Sequence, residues 1–368
     1  MKKTPLSHVH EALGARMVEF GGWSMPVQYG SILEEGRAVR SACGLFDLGH
    51  MGRFHVTGPD AVALCDRVSS NHVAKVPVGG IRYSLLLNEE GYPLDDFLFY
   101  VEEAGVYLVV NASNTEQDLV WIRRHATGLE VELDDQTGRT GMLALQGPLS
   151  QDILSAVTDA DLAGLKYYRF TFGTLCGLAD VRISRTGYTG EDGFELYLPN
   201  EETERVWHEL MRVGGPHGLR PIGLGARDVL RLEAGMALYG HELDLCTDPL
   251  EAGVDFALSF SAEKGDYVGR RALEARRGRT RNRLVGIMSD GPRAPRQDYG
   301  LFAGDEQVGR VVSGGVSPTL ETNIGSAYVR LGHDTEGTEL ALDIRGKRQA
   351  CTVCSLPFYS RTRKQKST

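Results

Sequence analysis

An α+β fold in two or three domains, closing in an all-β C-terminal unit, is what this sequence predicts. Length is the first ground, since 368 residues exceed what one small core organises. The second is that strand-like runs and helical stretches alternate along most of the chain, punctuated by Gly, Pro, Asn and Asp. The third is a change after the arginine-rich window Arg270–Arg283, where helical periodicity fades and Gly-rich turns take over.

The early strands are Arg53-Phe54-His55-Val56, Arg82-Tyr83-Ser84-Leu85-Leu86-Leu87 and Val106-Tyr107-Leu108-Val109-Val110, all rich in β-prone residues. After Pro199-Asn200, the residues Val206, Trp207, Leu210 and Met211 form one apolar helical face. Asn200 is placed to cap that helix and Gly214-Gly215 to end it. Another helix begins within Gly223-Leu224-Gly225-Ala226-Arg227-Asp228. The seven arginines from Arg270 to Arg283 read as a solvated connector and a domain boundary. Leu284–Met288, Gln307–Val312 and Gly325–Val329 then supply strands for a small barrel or sandwich. The basic tail Arg361-Thr362-Arg363-Lys364-Gln365-Lys366 reads as a disordered end, with binding of an anionic partner as the alternative.

Composition works by exclusion. Hydrophobic content of 42% and charged content of 24% are ordinary for a globular protein, and a net charge of −9 argues against a general nucleic-acid binder. No apolar stretch follows Lys2-Lys3 as a secretory leader requires, and no run approaches membrane-spanning length, so a cytoplasmic chain without membrane attachment is expected. Six scattered cysteines are too sparse for a disulfide scaffold and are expected to be reduced. Cys351-Thr352-Val353-Cys354 has no second ligand pair and reads as strand. The ten histidines show no ligand spacing, so no metal is expected. A P-loop, a Gly-x-Ser-x-Gly elbow and a zinc-protease motif are all missing, and Gly223/Gly225 lack the third glycine of a dinucleotide fingerprint.

Two acids stand out against this background. Gly187-Tyr188-Thr189-Gly190-Glu191-Asp192-Gly193-Phe194-Glu195-Leu196 drives a glycine-rich turn into a strand where Glu195 and Tyr197 share one face and Phe194, Leu196 and Leu198 the other. A carboxylate so placed matches a flat ligand with two adjacent N–H donors, such as a pterin ring; alone, it reads first as a solvated strand residue, as most glutamates are. Leu94-Asp95-Asp96-Phe97-Leu98-Phe99-Tyr100 heads an apolar strand with two acids. Asp96 shares a face with Leu98 and Tyr100, Asp95 with Phe97 and Phe99. Asp96 against an aromatic wall would be partly desolvated, which raises its pKa and strengthens its attraction to a neighbouring cation. Asn111, ending a strand, can donate to and accept from a heterocycle or simply form a turn, and Arg227 can meet a ligand carboxylate or a helix acid.

In their order along the chain, these segments resemble the aminomethyltransferase (T-protein) family of the glycine cleavage system. The likeness runs through Phe20-Gly21-Gly22-Trp23-Ser24-Met25-Pro26-Val27-Gln28-Tyr29, Gly44-Leu45-Phe46-Asp47-Leu48-Gly49-His50-Met51-Gly52, Leu145-Gln146-Gly147-Pro148 and Gly187–Leu196. It continues through Pro249-Leu250-Glu251-Ala252-Gly253, Ser317-Pro318-Thr319-Leu320 and Pro357-Phe358-Tyr359. The resemblance implies a three-domain, cloverleaf-like α+β fold with a C-terminal β-barrel, divided as 1–48 with 138–229, 49–137 with 230–275, and 283–368. It implies transfer of a methylene carbon from the aminomethyl group on the dihydrolipoyl arm of H-protein to tetrahydrofolate. By motif, Asp96 is the key acid near folate N5 and N10, and Glu195 and Asn111 are pterin ligands. Met51, Tyr83, Tyr100, Tyr168, Tyr188, Arg227 and Tyr239 would line the folate site, with Arg361 closing it from the C-terminus.

This sequence departs from the family pattern at Gly36, usually His, at Gly49, usually Ser, at Tyr92, usually Gly, and at Phe256, usually Trp. Two rival readings come with the same fold. One is a folate-dependent demethylase of a small methylated amine or sulfonium compound. The other is a non-catalytic folate-binding accessory protein, whose cysteine motif is replaced here by Lys264-Gly265-Asp266-Tyr267-Val268-Gly269-Arg270.

Overall fold

Alternation along the strand Gly193–Pro199 sets the layering of the protein. Phe194, Leu196 and Leu198 pack beneath Val206, Trp207 and Leu210 of the helix Thr203–Gly214, while Tyr197 faces the opposite way, into a second sheet. The computed structural model describes residues 1–361; the rest of the basic tail lies outside the described residues.

The sheet containing Glu195 has six strands in the order Phe170–Leu175, Leu178–Ser184, Gly193–Pro199, Thr140–Gln146, Cys43–Asp47, Leu219–Pro221. The sheet containing Asp96 has five: Ile81–Leu87, Pro93–Val101, Gly105–Val110, Gly52–Thr57, Glu132–Asp135. Their inner faces meet through Phe46, Met142, Ala144, Phe170 and Tyr197 on one side and Ile81, Tyr100, Tyr107 and Val109 on the other. On the outer face of the five-stranded sheet, Phe97, Phe99 and Val101 pack against the helices Ala61–Val68 and Thr115–His125. The expected division of faces around both acids therefore holds. Six further strands from Asn282–Ser289 to Lys347–Cys354 close into a barrel, the second of the two C-terminal forms left open by the sequence being excluded. Cys351 and Cys354 lie on its last strand.

Two local expectations are corrected. Asn200 does not cap the long helix: it begins a short 3₁₀ turn, Asn200–Glu202, and its amide donates to the Gly138 carbonyl at 2.9 Å, a partner out of reach of sequence spacing. The helix ends at Gly214 with Gly215 as its C-cap, as expected, and the left-handed residue that then turns the chain is Gly218, at φ 84°. The arginine window opens with a docked helix, Arg270–Arg276, rather than a connector. Its Leu273 is buried, and Arg276 donates to Asp248 at 2.7 Å and to Gly91 O at 3.0 Å.

The helix Leu224–Glu233 fastens the barrel to the sheets. Buried Glu233 accepts from Arg40 Nη2 at 2.7 Å, from Ser317 Oγ, and from the Thr319 backbone N–H at 3.0 Å. Arg40 also donates to Thr189 O at 2.6 Å and stacks 3.9 Å from the Tyr359 ring centroid, while the Tyr359 hydroxyl donates to Glu191. Two residues earlier, Arg231 bonds Glu242 and Ser313, each at 2.7 Å. Among the described residues, no helix is long and apolar enough to cross a membrane.

Candidate functional site

Strand register brings the polar groups around Asp96 together. Pro93–Val101 pairs with Gly105–Val110 from Leu98 opposite Val109 onwards, and continuing that register past the ladder sets Asn111 opposite Asp96. The Asn111 amide then donates to Asp95 Oδ1 at 2.8 Å and to Asp96 Oδ1 at 3.0 Å, while its backbone N–H donates to Asp95 Oδ2 at 3.0 Å. Asn114 adds a 2.7 Å bond to Asp95 Oδ1. The Asn111 NH₂ is thus committed to the acids, and only its Oδ1 remains to meet a ligand.

Asp96 retains some accessible surface while lying deep in the protein. Burial, and after it the charge of Asp95, push its pKa up to about 7. Buried Asp95 is also raised, by burial, and held back by bonds from its neighbours. The Tyr83 hydroxyl faces Asp96 but is buried without completing a hydrogen bond of good geometry. Phe256, 70% exposed, lays its ring 5.5 Å from that of Tyr83, so the position usually held by Trp keeps an aromatic at the surface here.

Glu195 has hydroxyl company. Thr186 Oγ1 donates to Oε2 at 2.6 Å, and the Tyr100 and Tyr197 hydroxyls stand 3.5 Å from the same oxygen. Tyr100 and Tyr197 bond each other at 2.7 Å, and Ser184 bonds Thr186 at 2.6 Å. Oε2 is thus spoken for, whereas Oε1 takes no hydrogen bond among the described residues. The two-oxygen fork expected from the sequence is half occupied before any ligand arrives. Burial raises the Glu195 pKa, opposed by the Thr186 bond and the charge of Arg227.

A run of neighbouring tyrosines links the surroundings of the two acids. Tyr83 faces Asp96, Tyr188 and Tyr168, and Tyr168 in turn faces Glu195. Arg227 lies 4.6 Å over the Tyr188 ring; among the described residues no hydrogen-bond acceptor engages its guanidinium, which leaves a cation directed at the Glu195 side. The Tyr188 hydroxyl donates to Ala237 O and that of Tyr239 to Pro93 O at 3.3 Å, which hold these rings in place. Met51 packs half-buried at the edge of the inter-sheet core. Tyr100 differs from the expected lining residues: it is fully buried behind Glu195. Arg361 pairs with Asp192 at 3.0 Å beside the Tyr167 ring, at the rim.

Sequence reasoning missed Thr186, Asn114 and Asp118. Only Asp118 carried a signal, since it lies one turn before Ile122 on the buried stripe of its helix, where an apolar residue is the rule. Apart from Phe256, the family departures lie elsewhere. A side chain at Gly36 would bring its Cβ within 2.7 Å of Pro318 in the barrel, and one at Gly49 would crowd Asp47 and Thr4 at 3.1 and 3.2 Å. Tyr92 follows a left-handed Gly91, and its N–H is held by Asn88 Oδ1 at 2.8 Å.

Comparison with known proteins agrees with this geometry. The family model described as GCVT N-terminal domain matches residues 6–262, and the glycine cleavage T-protein C-terminal barrel domain matches residues 282–360. A protein of Chloroherpeton thalassium named aminomethyltransferase is 43% identical, covering 99% of this chain and all of the relative. One of Symbiobacterium thermophilum with the same name is 47% identical, covering 98% and 97%. The crystal structure of the glycine cleavage system aminomethyltransferase T from Bartonella henselae superimposes with a TM-score of 0.91 at 33% identity, over 98% of each chain. With its sheets, its barrel and its full length matched in this way, the chain belongs to the glycine cleavage T-protein family, the aminomethyltransferases.

Proposed function

We propose that this chain moves the methylene carbon of an aminomethyl group, carried on the dihydrolipoyl arm of H-protein, onto tetrahydrofolate, releasing ammonia and forming 5,10-methylenetetrahydrofolate. The observation that carries this reading is that Glu195 and Asp96 stand on two sheets packed face to face, with Tyr83, Tyr168 and Tyr188 among their near neighbours. Tetrahydrofolate enters as co-substrate, and groups without partners support its fit. Glu195 Oε1 can accept from a pterin N–H, the orphaned Tyr83 hydroxyl sits beside Asp96, and Arg227 offers a cation. Met51, Tyr168, Tyr188 and Tyr239 supply walls. Tyr100 steadies Glu195 from behind, Asn111 fixes the acids, and Arg361 braces the rim through Asp192.

The reaction breaks a C–S bond, its electron pair leaving on sulfur, and the carbon gains iminium character. A folate nitrogen attacks that carbon; ammonia then departs as the second nitrogen closes on it, and the two folate N–H protons end on sulfur and ammonia. Ionised Asp96 opposes the positive charge where water is scarce, which is where a fixed carboxylate is most effective. Its alignment with both nitrogens removes the need to assemble reactants from solution.

We divide the chain as 1–48 with 138–229, 49–137 with 230–275, and 283–368, because the first two units each contribute one of the facing sheets. The cut at 229 falls inside the helix Leu224–Glu233, which serves both units and the barrel. Asp266, exposed and paired with Arg271 at 3.2 Å, gives no support to the accessory-protein reading. The test is to supply lipoylated, aminomethyl-loaded H-protein with tetrahydrofolate. Equal yields of methylene-folate and ammonia are expected; turnover only with a methylated amine or sulfonium compound would replace the proposal.

A further inference from the structure

A carboxyl group deep in a protein needs hydrogen-bond donors, an opposite charge, or its own proton. Asp118, on the helix Thr115–His125, is fully buried, and neither of its oxygens accepts a hydrogen bond from any N–H or O–H of the described residues. It lies one helical turn beyond Asn114, whose amide reaches Asp95 at 2.7 Å, so the carboxyl of Asp95 is its charged neighbour. Asp95 already accepts from the Asn111 backbone, the Asn111 amide and the Asn114 amide, at 3.0, 2.8 and 2.7 Å. Two ionised carboxylates repel and cannot bond, so a proton must stand between them. Every N–H donor points at Asp95 and none at Asp118. The proton therefore belongs to Asp118.

We propose that Asp118 is a positioning residue that keeps a permanent proton and, by donating it to Asp95, holds Asp95 ionised beside Asp96. The proposal deepens the transferase reading, resting on Asp96 as the acid that faces the transferred carbon. The Asn111 amide bridges Asp95 and Asp96, so the fixed charge of Asp95 bears directly on Asp96. Tyr83 and Tyr188 also lie near Asp96, and Tyr239 lies near all three acids. Without the donor on Asp118, the next proton taken up would go to Asp95. Asp96, relieved of a charged neighbour, would then stay ionised to lower pH. The helix thus sets the charge state of an acid it does not itself touch through a hydrogen bond.

Carboxyl-labelled aspartate followed by carbon NMR from about pH 5 to 9 tests this in the intact protein. In the unsubstituted chain, the Asp118 resonance is expected to stay at the position of a neutral acid throughout; titration as an ordinary carboxylate overturns the proposal without recourse to any variant. Asp118→Asn keeps an N–H donor toward Asp95 and should leave the Asp96 midpoint where it was. Asp118→Leu removes the donor and should lower that midpoint by about one pH unit or more, with the Asp95 resonance titrating in its place. An unmoved Asp96 midpoint in the Leu variant, or a midpoint in the Asn variant that follows the Leu one, overturns the proposal. In turnover, the kcat inflection should move with the Asp96 midpoint while the KM for tetrahydrofolate holds. If the NMR pattern appears but Asp96→Asn turns over normally, the proton arrangement stands and the transferase role of Asp96 falls.

Discussion

Glu195 and Asp96 are both carboxylates deep inside the protein, on strands of facing sheets, yet their surroundings differ in kind. Glu195 is ringed by hydroxyls that bond one of its oxygens, while Asp96 adjoins a second acid, a shared amide and a tyrosine that completes no bond. A carboxylate fixed by neutral donors is suited to hold a ligand in one pose. One crowded by another negative charge is suited to change protonation state, or to gain stability only when a cation forms beside it. The same residue class thus serves binding on one sheet and charge chemistry on the other.

The sharpest way to break this contrast is Asp96→Asn. Tetrahydrofolate affinity should stay within a few-fold while kcat drops about a hundredfold or more; a kcat near that of the unsubstituted chain would abolish the distinction. Glu195→Gln should do the reverse, weakening folate binding by about tenfold to a hundredfold, the worth of a charge-assisted bond, with kcat at saturation nearly preserved. Equilibrium titration and steady-state kinetics on the same preparation decide between them. Tyr83→Phe is a finer probe. Its hydroxyl has no partner in the free protein, so thermal stability should be unchanged or slightly higher while turnover falls about tenfold.

The smallest expected effect concerns pH. Burial and Asp95 place the Asp96 midpoint at about 7, far above an unfolded aspartate, so the native state holds a proton that the unfolded chain releases between those two values. Stability from this group is therefore present at low pH and declines as pH rises through 7, opposite to a salt-bridged acid. Asp96→Asn should raise the melting temperature by about 2–4 °C at pH 8 and by less at pH 5. Turnover of the unsubstituted chain should rise with pH across the same midpoint, because the ionised form is the one that opposes the iminium charge. A profile that falls there would exchange the roles assigned to the two charge states.

Much of this contrast is legible in the sequence, because strand alternation is strict. Tyr197 beside Glu195, and Leu98 and Tyr100 beside Asp96, follow from a period of two, and the sheets pack accordingly. The barrel is legible from its Gly-rich, non-helical texture, and its closure from nothing in the sequence. What stays hidden depends on distant segments meeting. Thr186 reaches Glu195 across a turn, and Asn114 and Asp118 approach Asp95 from the start of a helix whose pairing with that strand no local spacing shows. Asn111 is readable as a polar strand end, but whether its amide points to a ligand or to the acids depends on register beyond the last ladder pair. Tyr100 reads as lining and is packing, since a tyrosine on the right face can stand one layer back.

Arg40, Glu191, Glu233 and Tyr359 carry a last consequence. These groups share one buried network, and lifting the barrel away would take from the buried charges the bonds of Ser317 and Thr319 and the ring and hydroxyl of Tyr359. Barrel and underlying helix should therefore melt in a single calorimetric transition. A protease nick in the linker between Arg277 and Arg281 would yield two fragments that stay clasped together, not a barrel set free.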